Sequence, residues 1–114
     1  MTYNLAELEK NAHRATTLLK AMSNPARLMV LCQLAEGEKS VGELVDAVGL
    51  SQSGLSQHLA VLRRENIVVT RRVGQTIYYS VASAEAGAIM RTLYDVFCVR
   101  TSRKGAAKLK VKVA

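Results

Sequence analysis

Gln52, Ser53, Ser56 and Gln57 are short hydrogen-bonding side chains gathered in the first turn and a half of one helical segment, SQSGLSQHLAVLRR, which begins at Ser51. Side chains of this type at helical spacing suit base edges and phosphates in a major groove. Leu55, Leu59 and Leu62 recur three and four apart, so another face of the same segment is apolar and turns inward. Cations follow: Arg63 and Arg64 close the segment, and Arg71 and Arg72 lie in the run IVVTRRVGQTIYYSV. Such a polar helix face flanked by charge points to nucleic acid. Its candidate contacts are Ser51, Gln52, Ser53, Ser56 and Gln57 on the helix, Arg63 at its end, and Arg71, Arg72 and Gln75 beyond it. His58 has three readings: a DNA contact, packing at a dimer edge, or a solvated ring. The chain's other reactive groups are two thiols, Cys32 and Cys98.

These side chains need a frame, and start and stop signals outline one. Residues 5–22 read as a helix with Leu5, Leu8, Ala12, Ala15, Leu19 and Met22 spaced three and four apart. So narrow a seam suits either a second helix across a dimer or the chain's own core. Asn24-Pro25 places a cap and a first-turn proline at the start of a second helix, with Leu28, Leu31, Cys32 and Leu34 on its inner face. Ser40 and Glu43 form a capping box that opens a short helix to about Val48, and Gly49 is placed to end it. Ser51 caps the next helix. Two helices joined by so short a turn make a helix-turn-helix whose second member reads DNA.

From Ile67 the pattern changes to period two with β-branched residues. Val68, Val69 and Thr70 enter one strand, Thr76 to Val81 form its partner, and Gly74-Gln75 turns between them. Tyr78 and Tyr79 point to opposite strand faces, which predicts one in the core and one exposed. Ser83 caps a last helix to about Val99, with Ala86, Ile89, Leu93 and Val96 on one side. The expected fold class is mainly α with a small β-hairpin wing: a dimeric winged helix-turn-helix.

The chain has 114 residues and a formal net charge of +7. Basic character favours a polyanionic partner, but its distribution is uneven. Residues 100–114 hold Arg100, Arg103, Lys104, Lys108, Lys110 and Lys112 with no acid, so residues 1–99 are close to neutral. Residues 1–99 are read as one DNA-binding and dimerisation domain, and 100–114 as a basic disordered tail. No apolar run reaches the roughly 18 residues that span a bilayer, and the N-terminus lacks the order of a secretory signal. A cytoplasmic protein without membrane contact is expected, where cysteines are kept as thiols. There is no nucleophile–His–acid set, glycine-rich phosphate loop or metal constellation, so no enzyme and no cofactor are expected. His13 reads as a surface or dimer residue rather than a ligand.

The segments LLKAMSNPARLMVL, SVGELVDAVGLSQSGLSQHLAVLRREN and RRVGQTIYYSV, spanning about residues 18–81, resemble the ArsR/SmtB class of small bacterial winged-helix repressors. The resemblance implies a homodimer held by the first and last helices. It also implies binding to double-stranded DNA at an inverted-repeat operator, with release on induction. Metal-sensing members of the class place a cysteine pair where this chain has Ser40 and Gly42. Others use ligands along the last helix, where this chain offers Ser83, Glu85, Val96 and Val99. Zinc takes four ligands, and one carboxylate does not supply them; no metal site is expected.

Cys32 in RLMVLCQL and Cys98 in YDVFC resemble the sulfide- and redox-responsive dithiol subgroup of that class. The resemblance implies two thiols of one subunit that become linked by oxidation or by sulfur chains. A cysteine on an apolar helix face is otherwise a small core side chain. The expected function is a repressor that releases operator DNA when Cys32 and Cys98 are bridged by an oxidant or reactive sulfur species. Two alternatives stand beside it: a metal-responsive repressor, and a thiol-independent architectural or anti-silencing DNA binder.

Overall fold

Asn24, Ser40 and Ser51 each cap a helix where the sequence places one, and the chain between them follows from those caps. The computed structural model describes residues 2–99; the basic tail expected over 100–114 lies outside the described residues. The chain divides after Ser83 into two compact units, a division that falls inside the span read as one domain.

In the first unit, helix α1 (Leu5–Met22) is capped by the Asn4 side chain, which accepts from the Glu7 amide at 3.2 Å. Its apolar seam is uncovered over most of its length. Leu5 is 70 % exposed, Leu8 55 % and Leu19 51 %, whereas Ala21 and Met22 are buried. Helix α2 (Pro25–Ala35) begins with Asn24 accepting from the Ala26 and Arg27 amides. It buries Val30, Leu31 and Leu34, so the inner face is centred one residue from the expected set and Cys32 is half-buried at its edge.

Strand β1 (Lys39–Ser40) precedes helix α3 (Val41–Val48), and the Ser40–Glu43 capping box is formed in both directions, at 3.2 and 2.8 Å. Gly49 ends α3 in the left-handed region at φ 83°, which a side chain would resist. Ser51 then caps helix α4 (Gln52–Arg64) by accepting from the Gly54 amide at 3.1 Å. Leu55, Leu59 and Leu62 are all buried, as their spacing predicts. With Val30, Leu31, Leu44, Ile67 and Val68 they form the core between α2, α3, α4 and the sheet.

Helix α4 ends in a Schellman closure that the sequence reading lacked. Asn66 takes φ 61°, the Ile67 amide donates to the Leu62 carbonyl at 2.9 Å, and the Asn66 amide donates to Arg63 at 3.0 Å. Leu62 and Ile67, the two positions whose apolar side chains such a closure pairs, are both buried. The chain thereby turns from α4 into strands β2 (Val68–Val73) and β3 (Thr76–Val81). Val73 pairs with Thr76 across a two-residue turn in which Gly74 has φ 62°. The sheet is antiparallel, ordered β1-β3-β2. It therefore has three strands, where the sequence reading placed a two-stranded hairpin.

The second unit contains helix α5 (Ala84–Tyr94) and a π-helical turn over Asp95–Val99. The sequence reading carried one α-helix to Val99. An i→i+5 closure puts an extra residue into the turn, so α-helical spacing does not extend to Val96, which is 41 % exposed. Ala86 and Met90 are the buried residues of α5.

Candidate nucleic-acid interface

Burial of Leu55, Leu59 and Leu62 fixes the rotation of α4, and that rotation leaves Gln52, Ser53, Ser56 and Gln57 in solvent. The four side chains selected from sequence are therefore presented together on one exposed stretch. Ser51 is exposed too, but its hydroxyl is engaged in the cap and lies 3.4 Å from the Ser53 hydroxyl. That cap starts the helix that carries the others.

His58 is half-buried, and its Nδ1 lies 3.3 Å from Nη1 of Arg27. Arg27 was not among the sequence candidates. Its Nε donates to the Ala21 carbonyl at 2.5 Å and its Nη2 to the Lys20 carbonyl at 3.4 Å. One guanidinium thus joins the last turn of α1, the first turn of α2 and the middle of α4. Its separation of 31 residues from His58 left no local signal in the sequence.

Past the polar stretch, Ser56, Ala60, Arg63, Arg64 and Tyr79 line an open cleft of about 440 Å³ between α4 and β3. Ser56, Ala60 and Arg63 are four and three residues apart and share a stripe of α4, while Tyr79 comes from the wing. Arg63 and Arg64 are exposed, and Arg64 Nε lies 3.7 Å from a Glu65 carboxylate oxygen. A polar stripe leading into a cleft that holds two arginines fits a polyanion passing between helix and wing.

The two wing arginines differ. Arg72 Nε donates to the Gly74 carbonyl at 3.1 Å, which keeps its charge beside the exposed wing tip with Gln75. Arg71 instead donates from Nε and Nη2 to the two carboxylate oxygens of Glu38, at 2.9 and 2.6 Å. Its Cζ also lies 5.2 Å from the centre of the Tyr78 ring. The hydrogen bond from Arg71 holds the Glu38 carboxyl below the usual carboxylate range and, reciprocally, raises Arg71. Tyr78 and Tyr79 are both half-buried, which corrects the expectation of one core and one exposed ring. Arg71 rests over the first, and the second borders the cleft, so neither face of β3 is fully covered or fully open.

Cys32 lies on α2 in the first unit and Cys98 in the π-helical turn of the second; both are thiols, Cys32 half-buried and Cys98 exposed. Among the described residues no group of three or more His, Cys, Asp or Glu side chains is placed to hold a metal ion. Nor is any helix among them long and apolar enough to cross a membrane.

Comparison with known proteins places this geometry. The pattern of the family described as "Bacterial regulatory protein, arsR family" matches residues 24–70, which run from the cap of α2 into β2. The transcriptional activator HlyU of Vibrio cholerae is 50 % identical over 95 residues, covering 83 % of this chain and 88 % of that protein. A structure described as reduced HlyU from the same species superposes with a TM-score of 0.78, over 81 % of this chain and 97 % of that one. The biofilm growth-associated repressor of Xylella fastidiosa is 46 % identical over 94 residues, 82 % of each protein. A homodimeric winged helix-turn-helix domain, Mb0332 of Mycobacterium bovis, is 27 % identical with a TM-score of 0.68, over 84 % of this chain and 86 % of that one. With identity and coverage at this level, and with α3, α4 and the wing in place, the chain belongs to the arsR family of bacterial regulatory proteins and has their winged helix-turn-helix fold.

Proposed function

We propose that the chain is a homodimeric transcriptional repressor that binds an inverted-repeat operator and releases it when Cys32 and Cys98 become bridged. Transcriptional regulation follows from the family; the repressor's sign, the dimer, the operator and the inducer are the proposal. The observation that carries DNA reading is the exposed run Gln52, Ser53, Ser56 and Gln57 on α4, leading into the cleft with Arg63 and Arg64. Gln52, Ser53, Ser56 and Gln57 read base edges in the major groove, and Arg63, Arg72 and Gln75 meet backbone phosphate. Two copies set their reader helices one helical turn of DNA apart, roughly 34 Å. The uncovered Leu5, Leu8 and Leu19 of α1, and the exposed Tyr94 and Phe97, supply apolar surface for a second copy.

The switch rests on both cysteines being thiols and on a relative whose structure is described by its reduced state. Bridging removes two protons and two electrons. A polysulfide or peroxide accepts the electrons, and in the polysulfide case sulfur leaves as hydrosulfide. A direct disulfide requires Cα atoms within about 7 Å, and inserted sulfurs widen that limit. The bridge ties α2 covalently to the turn that follows α5. A small shift in helices that serve the dimer changes the spacing of the two readers and weakens simultaneous engagement of both half-sites. The test compares binding to an operator selected from a random duplex library by reduced and polysulfide-treated protein, with intact mass recorded for each. Tight sequence-specific binding by the reduced form is expected; binding without sequence preference would remove the operator reading.

A further inference from the structure

Arg71, Tyr78 and Glu38 run across the wing sheet, from β2 over β3 to the residue just before β1. Tyr78 on β3 pairs with Arg71 on β2 and with Ser40 on β1, and Glu38 stands two residues before Ser40. Directly paired residues share a sheet face, so the Arg71 side chain crosses the Tyr78 ring and closes on Glu38 at the far edge. The two hydrogen bonds, 2.9 and 2.6 Å, occupy the Nε–Nη2 edge of the guanidinium, an edge that otherwise forks onto a phosphate.

We infer that Glu38 and Arg71 form a strap that positions the wing against the start of α3, and that Arg72 rather than Arg71 carries the wing's phosphate contact. The inference deepens the DNA-binding reading and rests on it. Three observations support it. First, the strap ends two residues from Ser40, whose hydroxyl caps α3, so it joins the wing to the first helix of the helix-turn-helix. Second, the Glu38–Arg71 pair carries no net charge and releases no counterion from DNA. For Arg71 to turn its Nε–Nη2 edge to a phosphate it would have to give up both hydrogen bonds to Glu38 and leave a bare carboxylate beside the duplex. Third, Arg72 donates to the Gly74 carbonyl at the exposed tip and forms no ion pair among the described residues, so its charge is uncompensated there.

The strap and a phosphate contact predict opposite signs for one variant. Glu38→Gln keeps Arg71 and removes a negative charge, so simple electrostatics predicts tighter binding to a labelled 30-base-pair duplex. A positioning role predicts weaker binding, by roughly two- to fivefold, the range of an exposed ion pair. Exchanging the two groups, Glu38→Arg with Arg71→Glu, should restore affinity to within about fivefold of wild type if the pair is a strap. With Arg71 on phosphate, the exchange would put a carboxylate against the backbone and abolish binding. Arg72→Gln should lower the slope of log K against log salt by about 0.9 per wing. Tighter binding by Glu38→Gln, loss of binding in the exchanged pair, or an unchanged slope for Arg72→Gln overturns the inference. A readout in the DNA-free protein separates this from failure of the DNA reading. The Arg71 Nε proton should exchange slowly with water by NMR in wild type and rapidly in Glu38→Gln; fast exchange in wild type removes the strap whatever DNA does.

Discussion

Nη1 of Arg27 lies 3.3 Å from Nδ1 of His58, which ties the first turn of α2 to the middle of the reader helix. Arginine has only donors to offer, so a hydrogen bond between them uses Nδ1 as the acceptor. The same guanidinium donates to two carbonyls at the end of α1, where a cation also meets the negative end of the helix dipole. The seat of α4 thus depends on a residue outside the helix-turn-helix itself.

Arg27→Met keeps much of the side chain's bulk and removes these bonds. It should destabilise the fold by about 1.5–3 kcal/mol, the range for hydrogen bonds to charged groups. Urea titration measures this directly. An unchanged midpoint would mean that the junction contributes nothing in solution.

Two left-handed residues set the exits of α3 and α4. Gly49→Ala puts a side chain at φ 83° and should cost about 1 kcal/mol or slightly more. At Asn66, φ 61°, glycine should be tolerated or stabilising and alanine should cost a comparable amount. Thermal melts of the four proteins, wild type included, check both positions. Equal melting of Asn66→Gly and Asn66→Ala would contradict the closure.

Much of this frame was legible in the sequence because its signals are local. Asn24-Pro25, the Ser40–Glu43 box, Gly49 and Ser51 act within four residues of themselves, and the structure has them all capping or ending helices as expected. The leucine spacing in α4 identified its buried face for the same reason. What escaped was long-range or very short. Glu38 meets Arg71 across 33 positions and Arg27 meets His58 across 31, so neither pair has a spacing to read. Strand β1 is two residues long and shows no alternation. The π-helical turn at Asp95–Val99 breaks the period on which the placement of Val96 relied.

Ser56 and Gln57 are exposed on α4, so replacing either with alanine should leave stability intact. Loss of a base contact should cost about 1–3 kcal/mol of discrimination between operator and random duplex. Competition binding with both duplexes supplies the comparison. Equal losses on the two would put these side chains on the backbone.

Glu38 has its carboxyl held below the ordinary value near 4.5 by the Arg71 hydrogen bond. A lowered folded-state value contributes stability that is present above the unfolded value and lost as pH falls through the folded one. The melting difference between wild type and Glu38→Gln should therefore be constant from pH 6 to 8 and shrink on the acid side of about 4.5. A difference that instead changes between pH 6 and 8 would assign the effect to another group.

The thiol switch is tested most directly by operator affinity of wild type, Cys32→Ser and Cys98→Ser, each reduced and then treated with polysulfide. All three reduced proteins should bind. Only the wild type should weaken on treatment, with an intact mass showing two thiol protons lost and sulfur retained or a direct bridge formed, and reductant should restore its binding. Release of DNA by either single-cysteine variant, or a bridged wild type that binds as tightly as the reduced one, would contradict the account.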